Sequence, residues 1–244
     1  MGFTFNSKHS DYFGICVRTE SIPYIASKRQ AEIEVEGRDG LYIFEDGYNN
    51  IQISLACSIA NDDLVERRAL AREIAEWLST TGELIFDYDP DIAYQVVKVV
   101  SGINGVMRGY SVPVDDFNVV FECEPYQEQT FYNDDEDRIF EGVVHGQTIN
   151  VENLGTYKAL PIIILTGTAE NVTVGGFTFN ALSGTIYIDC KNMVVYSLSG
   201  DVKTNKMSSF LGTFPELQPG INSFDVIGTI TNLDITFDFK NTFL

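Results

Sequence analysis

The feature that most constrains the fold of this chain is an alternation of apolar and polar side chains with a period of two residues. Such alternation places the apolar side chains on one face of a β-strand and the polar ones on the other. In the second half of the chain it recurs in short runs separated by Gly, Asn and Pro, which predicts a sandwich of antiparallel strands. The predicted strands are Gly142–Val151, Ala159–Leu165, Asn171–Val174, Gly176–Asn180, Gly184–Asp189, Met193–Ser197, Asn222–Ile227 and Thr229–Lys240.

The first half contains a long predicted β-hairpin that runs from Glu32 to Phe44. Its first strand alternates from Ala31 to Val35, and the sequence Gly37-Arg38-Asp39-Gly40 favours a turn directly after it. Asp46-Gly47 is a second turn signal after the returning strand. The acidic residues of the hairpin point outward in this interpretation and discourage pairing with other strand edges.

One stretch of the first half has helical rather than strand periodicity. Asp63 and Glu66 have the spacing of a capping box, which predicts that a helix begins there. Gly82 is expected to end the segment. The predicted apolar stripe contains Leu64, Ala71, Ile74, Ala75 and Leu78, flanked by Leu70 and Trp77. The predicted polar face contains Glu66, Arg67, Arg68, Arg72, Glu73 and Glu76.

Strands resume after this helix and end at a change in composition. The predicted strands are Glu83–Phe86, Ala93–Val100, Val106–Pro113 and Asp116–Glu124, with a hairpin turn at Ser101–Gly105. The stretch Pro125–Asp137 is polar, has no apolar period and ends in four acidic residues. We therefore predict two domains, residues 1–133 and residues 134–244, in a mainly β chain.

Net charge restricts the partners of this chain. It has 16 Lys and Arg against 35 Asp and Glu, a formal charge of −19. Nucleic acid is excluded as a partner because there is no basic surface to neutralise phosphates, and an anionic membrane surface is disfavoured for the same reason. A partner that the chain attracts electrostatically should be basic or carry a metal ion.

The candidate catalytic and metal-binding patterns are each incomplete. The run Asp87–Asp91 resembles the start of a calcium loop, but Ile92 stands where Gly is needed, so we interpret it as an acidic turn. Asp134–Asp137 is expected to stay solvated. The two histidines, His9 and His145, belong to no motif of a hydrolase or a zinc site, and no phosphate- or dinucleotide-binding loop occurs. The sequence therefore predicts no catalytic residue, no metal site and no cofactor.

Cysteines and aromatic residues fit structural roles. Met1 to Ser10 lacks the apolar core of a secretory signal, and the cysteines are widely spaced, so they are expected to be buried, reduced and unpaired. The alternating phenylalanines are expected in the core, although an exposed aromatic row that stacks sugar rings is an alternative. The cysteines are Cys16, Cys57, Cys123 and Cys190, and the phenylalanines are Phe177, Phe179, Phe237 and Phe239.

Three stretches, taken in order, resemble the distal tail proteins of bacteriophages with long non-contractile tails. The first is Gly2–Ser10 with Phe13-Gly14-Ile15, and the second is Val35–Gly40 leading into Asp46-Gly47-Tyr48. The third lies in the second half and comprises Asn153-Leu154-Gly155, Ala159-Leu160-Pro161, Gly184–Asp189 and Phe214–Asn222. Together they span nearly the whole chain.

The resemblance implies an N-terminal β-domain with one helix and a projecting hairpin, followed by a galectin-like β-sandwich. It also implies a hexameric ring that joins the major tail tube protein to the tail-tip or tail-associated fibre protein. Such a protein is a virion component of a phage or prophage, assembled in the bacterial cytoplasm. The resemblance further implies that Gly37, Arg38, Asp39 and Gly40 lie at an oligomer interface, where a neighbouring subunit would offer carboxylates to Arg38.

Two other functions remain open from the residues alone. A carbohydrate-binding module for host adsorption would suit a β-sandwich, but the long insertion that carries such modules in larger family members is absent from the second half. A cell-wall hydrolase at the tail tip would need a carboxylate pair whose separation the sequence does not reveal.

Overall fold

The computed structural model describes residues 2–60, 63–100, 104–106, 114–131 and 138–244, with the backbone alone at 104–106 and 114. The chain divides into two compact units, Met1–Thr130 with Leu244 and Phe131–Phe243. Both consist mainly of antiparallel β-strands, and α1 (Leu64–Trp77) is the one α-helix among the described residues. That helix is too short and too polar to cross a membrane.

Ten strands lie in the described residues of the first unit. They are β1 (Phe3–Phe5), β2 (Lys8–His9), β3 (Ile15–Ser21), β4 (Lys28–Glu34), β5 (Leu41–Tyr48), β6 (Ile51–Ala60), β7 (Gly82–Phe86), β8 (Asp89–Val99), β9 (Asn104–Val106) and β10 (Val114–Gln129). The main sheet has the order β2-β1-β7-β8-β10-β6-β3, and β9 also pairs with β10. Among the strands of the described residues, β4 and β5 pair with each other alone.

One prediction for this unit is wrong: Asn104 and Gly105 were expected in a turn but lie in β9, whose partner is β10. Strand β10 also extends to Gln129, into the polar stretch that begins at Pro125, because its last residues pair with β8. The rest of the predicted strand Val106–Pro113 lies outside the described residues.

The core of the first unit surrounds Trp77, the only tryptophan of the chain. Its ring stacks on Phe3 with centroids 5.6 Å apart and lies 4.8 Å from the ring of Phe13. Its indole nitrogen donates a hydrogen bond to the carbonyl oxygen of Phe5 at 2.9 Å. Since β1 carries both Phe3 and Phe5 with no exposed surface, the helix holds the amino-terminal strand against the sheet.

Helix α1 begins as predicted but buries a different stripe. Asp63 caps it by accepting hydrogen bonds from the backbone nitrogens of Val65 and Glu66. The side chains that face the sheet are Arg67, Ile74, Trp77 and Leu78, whereas Ala71 and Ala75 are exposed, contrary to the prediction. The helix ends at Trp77, and Gly82 instead begins β7 at φ +151°, where a Cβ atom would collide with the side chain of Asn6.

Arg67 was predicted on the polar face of the helix and is instead buried. Its side chain has 0% exposure and pairs with Asp115 of β10, which is 10% exposed, at 3.1 Å. A buried cation is tolerated only where a carboxylate accepts its hydrogen bonds. This ion pair therefore fixes α1 to the middle of the sheet.

The second unit contains the remaining ten strands. They are β11 (Ile139–Phe140), β12 (Gln147–Asn153), β13 (Ile162–Val174), β14 (Phe177–Phe179), β15 (Leu182–Asp189), β16 (Val194–Ser199), β17 (Val202–Asn205), β18 (Phe210–Gly212), β19 (Gly220–Asp238) and β20 (Thr242–Phe243). One path through its sheet is β11-β19-β13-β15-β16-β17. Strand β12 joins β19, and β14 joins β13 and β18.

Two long strands bend this sheet over its own core. The rings of Phe224 and Phe237 lie 5.1 Å apart, although a straight strand would separate residues so distant in β19 by about 43 Å. The bend occurs near Gly228, at φ +156°, where a Cβ atom would approach the Cα of Val172 to 2.9 Å. The predicted breaks at residues 166–170 and at 228 are thus irregularities within continuous strands. The four phenylalanines predicted in the core are buried there.

We expect Arg67→Ala to lower the free energy of unfolding of the first unit by about 3–5 kcal/mol, because it removes the cation from a buried pair. Fluorescence of Trp77 during urea unfolding measures this unit, since no other tryptophan contributes. Arg68→Ala, an exposed position on the same helix, is the matched control and should change stability by less than about 0.5 kcal/mol. Equal midpoints for the two variants would show that the ion pair contributes nothing.

We also expect limited proteolysis to cut the chain first near Asn133, in the acidic stretch that joins the two units. Two fragments of about half the chain should accumulate in a time course followed by mass spectrometry. Early cleavage inside Ala159–Leu165 would contradict the proposed domain boundary, because that segment enters the core of the second unit.

Candidate interaction surface

The hairpin formed by β4 and β5 is exposed along nearly its whole length. Every residue of β4 is exposed, as is every residue of β5 before Tyr48. Its strands pair through Ala31 with Phe44, Ile33 with Tyr42 and Glu34 with Leu41, as the predicted hairpin requires. A two-stranded hairpin without further packing is marginally stable in water at best.

The two faces of this hairpin differ in chemistry. Cross-strand partners point to the same side, so Ala31, Ile33, Tyr42 and Phe44 share one face, which we call the apolar face. Ile33, Tyr42 and Phe44 are between 44% and 55% exposed. Glu32, Glu34, Leu41 and Ile43 share the opposite, acidic face.

Arg38 lies in the loop that connects the two strands and extends the apolar face. Gly37 and Gly40 adopt φ values of +82° and +84°, a region that favours glycine. They turn the loop so that the guanidinium of Arg38 lies 3.8 Å from the ring centroid of Tyr42. Within the described residues, no carboxylate forms an ion pair with Arg38.

The base of the hairpin is held by charged and polar contacts. Lys28 bonds Glu45 at 2.6 Å, which raises the pKa of Lys28 and lowers the pKa of Glu45. The Nε of Arg29 donates to the carbonyl oxygen of Asp46 at 2.8 Å. Asp46-Gly47, predicted as a turn, is instead a register irregularity inside β5, with Gly47 at φ +75°.

The histidines and the acidic turn have structural contacts. Asp87 and Tyr88 form the turn between β7 and β8, whereas Asp89–Asp91, which were predicted in the same turn, begin β8. The carboxylate of Asp87 accepts a hydrogen bond from the backbone nitrogen of Gly2 at 2.8 Å and contacts His9 Nε2 at 2.9 Å. His145 Nδ1 accepts from the backbone nitrogen of Gly228. The run Asp134–Asp137 lies outside the described residues. Within the part of the chain that the structure describes, no group of His, Cys, Asp or Glu residues is arranged to hold a metal ion.

The segment Asn153-Leu154-Gly155, one of those that carry the family resemblance, holds several loops of the second unit together. The amide nitrogen of Asn153 donates to the carbonyl oxygens of Tyr157, at 2.8 Å, and Leu217, at 3.0 Å. Its amide oxygen accepts from the backbone nitrogen of Gly155 at 2.9 Å. A Cβ atom at Gly155 would collide with the backbone of Thr242. Asn153-Leu154-Gly155 therefore joins three separate segments of the unit.

Comparisons with known proteins agree with this fold. Residues 11–123 match the family described as the phage tail protein RIFT-related domain. No curated protein sequence matches the chain. The crystal structure of SPP1 Dit (gp 19.1), described as a paradigm of the hub adsorption apparatus in phages that infect Gram-positive bacteria, is similar over 100% of this chain and 99% of its own, with a TM-score of 0.77 and 12% identity.

Two structures of the phage P2 baseplate in its activated conformation, with Ca and with Sr, also match. Each covers 92% of this chain and 90% of its own, with a TM-score of 0.44 and identities of 8% and 9%. The predicted resemblance is confirmed by the family match and the full-length fold: residues 11–123 match the phage tail RIFT-related domain, and the chain has a mainly β, Dit-like fold with one helix among the described residues.

The four cysteines differ in solvent exposure and should therefore differ in reactivity toward a thiol reagent. All are free, and Cys16 is exposed, contrary to expectation, because it lies on the outer side of β3. Burial raises the pKa of Cys57, Cys123 and Cys190 to about 12. We expect a maleimide at neutral pH to modify Cys16 alone in the folded protein and every cysteine after denaturation, as measured by intact mass. Loss of two labels from the denatured, unreduced protein would reveal a disulfide.

Proposed function

We propose that this chain is the distal tail protein of a long-tailed phage or prophage, a baseplate hub that forms a hexameric ring between the tail tube and the tail tip. The observation that carries the proposal is the RIFT-related tail domain at residues 11–123 within a Dit-like fold that extends over the whole chain. The proposed role is structural rather than catalytic, and the partners are the tail tube protein and the tail-tip or fibre protein.

The surface of the hairpin supports assembly with other chains. A monomer that exposed this many apolar side chains on one hairpin would bear a surface of the kind that proteins use for association. We propose that Gly37, Arg38, Asp39 and Gly40 lie at the subunit boundary of the ring. The two glycines set the loop conformation, and Arg38 supplies a guanidinium that a carboxylate of the neighbouring chain can bind in bidentate fashion.

The second unit supports the proposed galectin-like sandwich. Its long strands bend so that both halves of the sheet contribute to one core, as in two packed layers. In the proposed hub, this unit would present its loops and outer faces to other tail proteins.

The localisation is tested on purified phage particles. We expect mass spectrometry of tails to detect this chain, and antibodies against it to label the distal end of the tail in electron micrographs. Particles that contain the tail tube protein but not this chain would disprove the proposed function, whatever the behaviour of the isolated protein.

We expect Arg38→Glu to weaken assembly by at least ~30-fold, since loss of a buried, hydrogen-bonded charge pair costs about 2 kcal/mol or more. The mass in solution, measured by light scattering after size exclusion, should fall toward the 27.3 kDa of one chain. Arg68→Glu on the exposed side of α1 makes the same charge change and should assemble normally. Normal assembly of Arg38→Glu, with an unchanged circular dichroism spectrum, would place the boundary elsewhere.

A further inference from the structure

The second unit carries an apolar row on the face of its sheet that points away from the core. Side chains along β13 alternate, so Ile163 and Leu165 enter the core while Ile164 points outward. Strand register places Ile164 between Tyr187 and Thr236. Tyr196 lies beside Tyr187 on one side, and Ile139 lies beside Thr236 on the other. We call this row the outer strip; it consists of Ile139, Thr236, Ile164, Tyr187 and Tyr196.

The outer strip is partly exposed to solvent. Ile139 is 52% exposed, and the other members are half-buried. The rings of Tyr187 and Tyr196 stack with centroids 5.3 Å apart, so they form one continuous aromatic surface across two strands. An apolar row on the outer face of a sheet whose inner face already forms the core gains stability only if another surface covers it.

The charges beside the strip are arranged unevenly. Asp234 and Asp238 flank Thr236 two residues away on the same face of β19, and Lys203 lies 4.4 Å above the ring of Tyr196 at the opposite end. Partial burial raises the pKa of Asp238, although Arg138 acts in the opposite direction. A carboxylate that is partly desolvated gains from a further cation. The β19 end of the strip is therefore suited to a partner with an exposed guanidinium.

The hairpin of the first unit has the complementary surface. Its apolar face combines Ala31, Ile33, Tyr42 and Phe44 with Arg38 at one end, and its acids lie on the opposite face. Strand β4 is about 20 Å long, and the strip crosses five strands, about 19 Å. The two surfaces are similar in length, both are largely apolar, and they carry opposite charges at one end.

We infer that the outer strip receives the hairpin of a second copy of this chain, with the apolar face against the strip and Arg38 beside Asp234 and Asp238. A second copy is the occupant because both surfaces belong to this chain and their charges are complementary, with the hairpin face exposed and the strip partly exposed. The inference rests on the proposed function, since a ring of identical subunits brings the hairpin of one chain to the surface of another. It adds the receiving surface, in the second unit, to the boundary proposed for the hairpin.

Cross-linking between two variants tests this contact. In a Cys16→Ser background, a tagged Tyr42→Cys protein is mixed at high concentration with an untagged Thr236→Cys protein and oxidised gently. The matched control replaces the tagged protein with Ile43→Cys, which is adjacent, similarly exposed and on the acidic face. We expect a mixed disulfide of twice 27.3 kDa at a yield at least ~10-fold above the control. Equal yields, or no mixed product, overturn the inference.

Charge exchange provides a second measurement that does not depend on added cysteines. Arg38→Asp should weaken self-association, and Asp234→Arg or Asp238→Arg in the same chain should restore it to within ~3-fold of the unsubstituted protein. Thermal melting of each variant confirms that the second unit is folded. If neither exchange restores association, the outer strip is not the receiving surface. Detection of the chain in phage tails is independent of both results, so failure of this inference and failure of the proposed function are distinguishable.

Discussion

Among the described residues, β4 and β5 form hydrogen bonds with each other and with no third strand. This limit on backbone pairing determines which side chains of the hairpin are left exposed. Two strands cannot bury a core between them, so the apolar side chains of the hairpin remain exposed. The rest of the first unit has its own core around Trp77 and gains nothing from this exposure. Exposed apolar side chains of this kind are typical of surfaces that contact another chain, which is what the proposed function requires.

Local periodicity predicted where α1 begins but not which face it buries. The capping oxygen of Asp63 and its distance from Glu66 are local features, and both were read correctly. The buried stripe passes through Arg67, because Asp115 lies opposite it in a strand 48 residues further along the chain. No pattern within the helix contains that information. Alanines were assigned to the core on their apolar character, although they are small enough to be left exposed.

Turn signals were more reliable for the ends of the hairpin than for breaks within long strands. Gly37 and Gly40 lie in the predicted loop, and the two strands that flank it pair with each other as the predicted hairpin requires. The same type of signal at Asp46-Gly47 and near Gly228 marks strands that continue through an irregularity. Glycine permits either outcome, and packing against distant residues such as Val172 decides between them. The two faces of the hairpin could be predicted from the alternation of apolar and polar residues in the sequence. The outer strip could not be predicted in this way, because its members come from strands that are far apart in the sequence.

The continuity of β13 and β19 through the second unit has a mechanical consequence. Each strand contributes to both halves of the folded sheet without an intervening loop, so a force applied near Gly220 reaches Asp238 along one hydrogen-bonded ribbon. A tightly packed interior transmits strain rather than absorbing it. Such a ribbon resists pulling along its length by loading many hydrogen bonds in shear at once. Because β19 folds back on itself, a load on either of its arms would be shared by both halves of the sheet rather than borne by one layer.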